Sequence, residues 1–226
     1  ASGYPPYEFI DTSKGDKTVI GVDMEFAKKV ADKLGVKLKV EDMNFSSLLS
    51  SLASNKIDVA IAGINPTDER RKAMDFSDNY LPTRQCIMIR KEDAETLKTL
   101  DDFKGKTVGA EKSTTQEKLV QTEMKDSKLV SLEKVPDVVM ELKNHKVDGL
   151  VVEGIVAQQY LIFNPDVTLS DATFQNGIKN SAVALTKGNE DLLKVINEVI
   201  KENTDNGNFN KWVDEYSKKA VENAQQ

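Results

Sequence analysis

The run Gly63-Ile64-Asn65-Pro66-Thr67-Asp68-Glu69-Arg70 carries the residue types of a carboxylate clamp. It follows an apolar stretch, Ile57-Asp58-Val59-Ala60-Ile61-Ala62, that reads as a buried strand. Gly63 is expected to end the strand, and Pro66 with Thr67 to open a short helix carrying Arg70. Backbone N–H groups near Asn65 and the planar guanidinium fork of Arg70, which a lysine could not reproduce, would then meet one anion. By spacing alone the same residues also describe a surface turn with a solvated arginine.

Two further steps of the chain have comparable chemistry. Ser113-Thr114-Thr115-Gln116 lies between an expected strand at 106–110 and an expected helix at 115–124. A helix start points N–H groups at an anion and the Thr114 hydroxyl adds a donor, or the hydroxyl simply caps the helix. Glu153 ends the apolar run Asp148-Gly149-Leu150-Val151-Val152 and opens a helix, where an acid also suits the helix dipole. An anion could then meet Arg70, the backbone N–H near Asn65 and Thr114, while a cation could meet Glu153 and a backbone carbonyl around Gly63.

The elements that must position these groups follow from periodicity. Asp23, Met24, Phe26, Ala27, Val30, Ala31 and Leu34 fall at helical spacing, ended by Gly35. Residues 36–40 alternate like a strand with one wet face, and 46–54 form an amphipathic helix. Residues 85–89 read as a crossing strand, followed by a charged break at 91–95. A second alternating unit contains a short helix at 100–103, strands at 129–132 and 149–152 and a helix at 137–144. A strand at 180–185, a long helix through 191–200 and a polar tail at 220–226 complete the chain. Alternating strands and helices imply α/β architecture with ligand sites beyond the carboxyl ends of strands, where Gly63 falls.

The longer wording, Ile-Asp-Val-Ala-Ile-Ala-Gly followed by Thr-Asp-Glu-Arg and Met74-Asp75-Phe76-Ser77-Asp78-Asn79-Tyr80, resembles bacterial extracellular solute-binding proteins of the polar amino-acid class. These are the capture subunits of ABC importers. The resemblance runs from Tyr4-Pro5-Pro6-Tyr7-Glu8-Phe9 to Gly207-Asn208-Phe209-Asn210-Lys211-Trp212. It implies the two-lobed periplasmic-binding-protein fold of type II, each lobe a mainly parallel sheet covered by helices, joined by two hinge strands. Lobe 1 would comprise 1–87 and 182–226, and lobe 2 would comprise 88–181. The family places its second carboxylate contact at Thr114, with Thr115 beside it. It places an acid, usually Asp, where Glu153 stands to grip the ligand's amino group. Tyr4 and Phe45 match positions that line the pocket.

Several departures bear on the ligand. Asn65 stands where many relatives carry Thr or Ser. Glu111 stands where glutamine-binding relatives carry a Lys, and an acid there attracts a cation. Gln85 on the crossing strand adds a polar contact. These tilt the expectation to arginine or lysine over glutamine, although the acid that some basic-ligand relatives carry before the Tyr4 motif has no counterpart, Ala1 standing there.

Composition narrows the rest. The formal charge is −6 with a pI near 5.1, and no basic stripe exists to neutralise phosphates, so nucleic acid is not an expected partner. The single cysteine, Cys86, sits in an apolar run as a small hydrophobe, and the single histidine, His145, in a polar loop. No metal cluster, phosphate loop or Ser/His/Asp set is visible, so neither cofactor nor metal is expected. No apolar segment approaches the ~20 residues that span a bilayer. The expectation is a monomer acting outside the cell, as a surface lipoprotein or in the periplasm, with its signal segment absent from this chain. Its partners would be a free L-amino acid and a membrane permease. The rival expectations are a dehydratase acting on prephenate-like or arogenate-like acids, with Glu153 as the acid, and the sensor domain of a receptor.

Overall fold

A computed structural model describes residues 1–13 and 17–224. The chain starts with β1 (Phe9–Asp11), β2 (Thr18–Ile20), α1 (Val22–Leu34), α2 (Phe45–Ala53), β3 (Val59–Ile64), α3 (Asp68–Arg71), β4 (Met74–Phe76) and β5 (Leu81–Arg90). It continues through β6 (Thr107–Glu111), α4 (Thr115–Glu123), β7 (Lys128–Leu132), α5 (Val135–Lys143), β8 (Gly149–Glu153), α6 (Gly154–Phe163) and β9 (Val167–Leu169). The last elements are β10 (Ile178–Thr186), α7 (Glu190–Asp205) and α8 (Asn208–Ala224). The fold is α/β, and it divides into two compact units, Ala1–Pro82 with Asn180–Gln226, and Thr83–Lys179. The chain passes from one to the other inside β5 and again inside β10.

In the first unit, β10 pairs antiparallel with β3 and with β4. Phe45, Leu48 and Leu52 of α2 pack with Ala60, Ile64, Phe76 and Ala184 into its core. The apolar stripe of α1 begins at Val22 because Gly21, at φ 141°, lets the chain pass the Tyr7 carbonyl; a Cβ there would lie 2.0 Å from that oxygen. The stripe ends at Gly35, whose left-handed conformation (φ 67°) allows its N–H to bond Asp32 and the N–H of Val36 to bond Ala31. This paired closure of the last carbonyls stops the helix.

The expected strand at 36–40 does not form. The Val36 amide is committed to the helix cap, and residues 36–44 carry no regular secondary structure. Val36, Leu38 and Val40 remain exposed, and with Met24, Val30 and Val59 they border a cavity of about 550 Å³. Lys37 and Lys39 line the same cavity, so the alternation separates no apolar face from a wet one, and the segment has no ladder partner. The tail at 220–226, read as polar and without pattern, is helical to residue 224; its last two positions lie outside the described residues.

In the second unit β6 lies between β7 and β8, parallel to both, while β5 pairs antiparallel with β8 and β9. Every residue of β8 is buried, as a strand with covered faces requires. Ile87, Ile89, Phe103, Val108, Leu119 and Val151 form the core. The parallel neighbours β6 and β8 end on acids, Glu111 and Glu153, at the edge where open α/β sheets bind ligands.

Candidate functional site

In the first unit the clamp is built from local signals. β3 runs one residue past Gly63, which sits inside the strand end at φ 52°. The register against β10 slips here, between Ala182 and Ala184, so the backbone bulges and glycine takes the left-handed position. The Gly63 N–H donates to Asp23 Oδ2 at 2.8 Å, and Asp23 Oδ1 accepts from the Tyr80 hydroxyl at 2.8 Å. Asp23 is fully buried. The hydroxyl of Thr67 caps α3 by accepting from the Arg70 N–H at 3.2 Å. Arg70 then folds back: Nη1 donates to the Asn65 carbonyl at 2.9 Å, and Cζ lies 5.3 Å from the centroid of the Phe45 ring. Burial lowers the guanidinium pKa to about 10, which leaves it charged at neutral pH.

Phe45 therefore does two things, filling the core with one part of its ring and carrying the guanidinium on its face. Tyr4 is buried and stacks on Tyr7 with centroids 5.8 Å apart. Arg70, Asn65, Phe45 and Gly63 thus converge on the end of β3. Tyr4 packs with Tyr7 near the start of the chain.

In the second unit the Thr114 hydroxyl caps α4, accepting from the Glu117 N–H at 3.2 Å. Its proton goes to the Glu111 carbonyl at 2.5 Å. The turn at Ser113, a left-handed residue at φ 65°, brings the Glu111 carbonyl within reach of that hydroxyl. Thr115 opens the helix, with its hydroxyl 3.4 Å from Gln116 Oε1. Burial pushes the Glu111 carboxyl up to about 7. Gln85 pairs with Glu153 across the β5–β8 ladder, and its side chain is buried with neither amide atom hydrogen-bonded. Glu153 is fully buried, and its carboxylate contacts the ammonium of Lys179, itself 3% exposed.

The profile of bacterial extracellular solute-binding proteins, family 3, matches residues 1–219. The chain belongs to this family. It is 34% identical over 216 residues to the arginine-binding extracellular protein ArtP of Bacillus subtilis, covering 93% of this chain and 81% of that one. It is 33% identical over 199 residues to the L-cystine-binding protein TcyJ of Escherichia coli, covering 88% and 73%. Among solved structures, the amino acid ABC transporter substrate-binding protein AbpA of Streptococcus pneumoniae, bound to L-arginine, superposes with a TM-score of 0.95 at 32% identity. That match covers 97% of this chain and 93% of AbpA. The neighbours are two-lobed binding proteins, as the fold of this chain is.

Two residues of this solute-binding protein escaped sequence reasoning. Asp23 reads as a first-turn helix acid, yet it anchors Gly63. Lys179 lies in Gly177-Ile178-Lys179-Asn180, with no signal pairing it to Glu153. The remaining candidates take structural places. Burial pushes the Cys86 thiol up to about 12, and Sγ lies 3.4 Å from the Val152 carbonyl. His145 is exposed in a left-handed turn, 3.6 Å from Glu92. Among the described residues no group of His, Cys, Asp and Glu is placed to hold a metal ion, and no helix is long and apolar enough to cross a membrane.

Proposed function

We propose that this protein captures a free amino acid outside the cell, acting as a monomer, and presents it to the permease of an ABC importer, with L-arginine as the preferred ligand. The observation that carries the reading is the pair of opposite charges at strand ends, Arg70 after β3 and Glu153 closing β8. Arg70 would take the ligand carboxylate, assisted by the first-turn amides of α4 at Thr114 and Thr115, and Glu153 the ammonium, shared with the Gly63 carbonyl.

Arginine is favoured over a neutral ligand by Glu111, a buried acid at the end of β6, and by Gln85, whose buried amide lacks hydrogen-bond partners. Tyr4, Phe45 and Asn65 would flank the side chain and carboxylate. The arginine-binding relatives agree with this choice. An enzymatic role has less support, because Glu153 is ion-paired with Lys179 and so is not set up as a general acid. Competition calorimetry with arginine, lysine, histidine, glutamine and cystine tests the ligand; a neutral winner without measurable basic binding overturns arginine.

A further inference from the structure

The carboxylate assigned to the ligand's ammonium is already occupied inside its own unit. Glu153 is fully buried, and Lys179, at the start of β10, places its ammonium against Oε1. Gln85 sits opposite Glu153 in the antiparallel β5–β8 ladder. Opposed residues of such a ladder project from the same face, so the unpartnered Gln85 amide lies beside the ion pair. A buried polar group without a hydrogen bond is costly, and natural structures keep only a few of them.

An amine on the ligand and the amine of Lys179 have the same chemistry and would compete for one carboxylate. We propose that Lys179 is an internal occupant of the ammonium subsite, displaced from Glu153 when the ligand's α-ammonium binds. The proposal rests on the reading above that Glu153 receives that ammonium. Until ligand arrives, Lys179 keeps the buried carboxylate matched with a positive charge, so the acid is held ready without being left alone in a low-dielectric site. Binding becomes an exchange of one cation for another. The ligand must offer an ammonium with better geometry than a lysine tethered through its own strand, and Gln85 can complete that geometry by accepting an N–H from the incoming group. Lys179 thereby sets affinity and discriminates for ligands that carry the α-amino group.

Two ligands separate this from a merely structural pair: L-arginine, and 5-guanidinopentanoic acid, which is arginine without its α-amino group. In Lys179→Met, arginine should bind at least about tenfold more tightly than in the parent protein, while the deaminated acid changes by less than about threefold. Unchanged or weaker arginine binding by the folded variant overturns the proposal, as does an equal gain for both ligands. The unaltered protein supplies an independent readout, the ¹⁵N resonance of the Lys179 ammonium, which burial protects from exchange. Saturation with arginine should shift or abolish it and the deaminated acid should leave it in place; a signal unmoved by arginine overturns the exchange. A parent protein that binds no amino acid removes the functional reading together with this one. Arginine binding with an unresponsive Lys179 removes the exchange alone.

Discussion

The Arg70 guanidinium donates through Nη1 to the Asn65 carbonyl oxygen at 2.9 Å. That bond fixes one edge of the planar fork on the backbone of its own turn while Phe45 supports the flat face. A side chain restrained on two sides loses little freedom when it pairs a carboxylate. Arg70→Ala should therefore weaken arginine binding by at least about 2 kcal/mol, roughly thirtyfold, measured by calorimetry. Arg70→Lys should recover little, because one ammonium cannot both hold the Asn65 carbonyl and present two parallel donors. Near-parental affinity in the alanine variant would take Arg70 out of the site.

Glu153 and Lys179 form a buried pair, so the two single changes and the double change should not add. Glu153→Gln leaves an unmatched buried ammonium and should cost about 3–5 kcal/mol of stability. Combining Glu153→Gln with Lys179→Met should restore most of that loss in chemical denaturation, while arginine binding stays impaired. Additive losses in the double variant would show that the two side chains act independently.

Glu111 gives the molecule a pH dependence whose sign is set. Its folded-state pKa of about 7 lies above the ordinary 4.5, so the folded form holds a proton that the unfolded form releases earlier. Its contribution to stability is full below about pH 4.5 and is lost as pH rises through 7, amounting to at most about 3 kcal/mol. Glu111→Gln should flatten this part of the stability profile between pH 5 and pH 8. Binding runs the other way: the carboxyl ionises as pH rises through 7, so arginine affinity should climb there in the parent and stay level in the variant. Parallel profiles for the two proteins would remove Glu111 from both roles.

Thr114 is bound on both sides, by the Glu117 N–H and by the Glu111 carbonyl. Thr114→Ala should cost about 1 kcal/mol of stability through the lost cap, and Thr114→Ser should keep it. If the first-turn amides of α4 hold the ligand carboxylate, the alanine variant should also weaken binding, since the cap fixes their direction. Intact affinity with reduced stability would confine Thr114 to the fold.

Much of this architecture is legible in the sequence because its signals are local. Gly35 ends α1, Thr67 caps α3 and Glu153 closes β8 through choices made within a turn of each residue. The strand expected at 36–40 shows the limit of alternation, since a ladder needs a partner edge and the Val36 amide is taken by the preceding helix. Site partners that depend on distant segments are silent. Nothing beside Lys179 marks it as the counter-ion of Glu153, and nothing beside Asp23 marks it as the acceptor for Gly63. The hydroxyl of Thr114 is legible as a cap, while its bond to the Glu111 carbonyl depends on the left-handed turn at Ser113 and has no sequence signal.

Asp23 takes the Gly63 amide with one oxygen and the Tyr80 hydroxyl with the other, while its own helix packs against α7 and α8. The arginine-bearing turn is thereby moored to the far end of the polypeptide. Repacking along α7 or α8 should register as drift in the aim of that guanidinium, so ligand preference becomes sensitive to how these helices seat against α1.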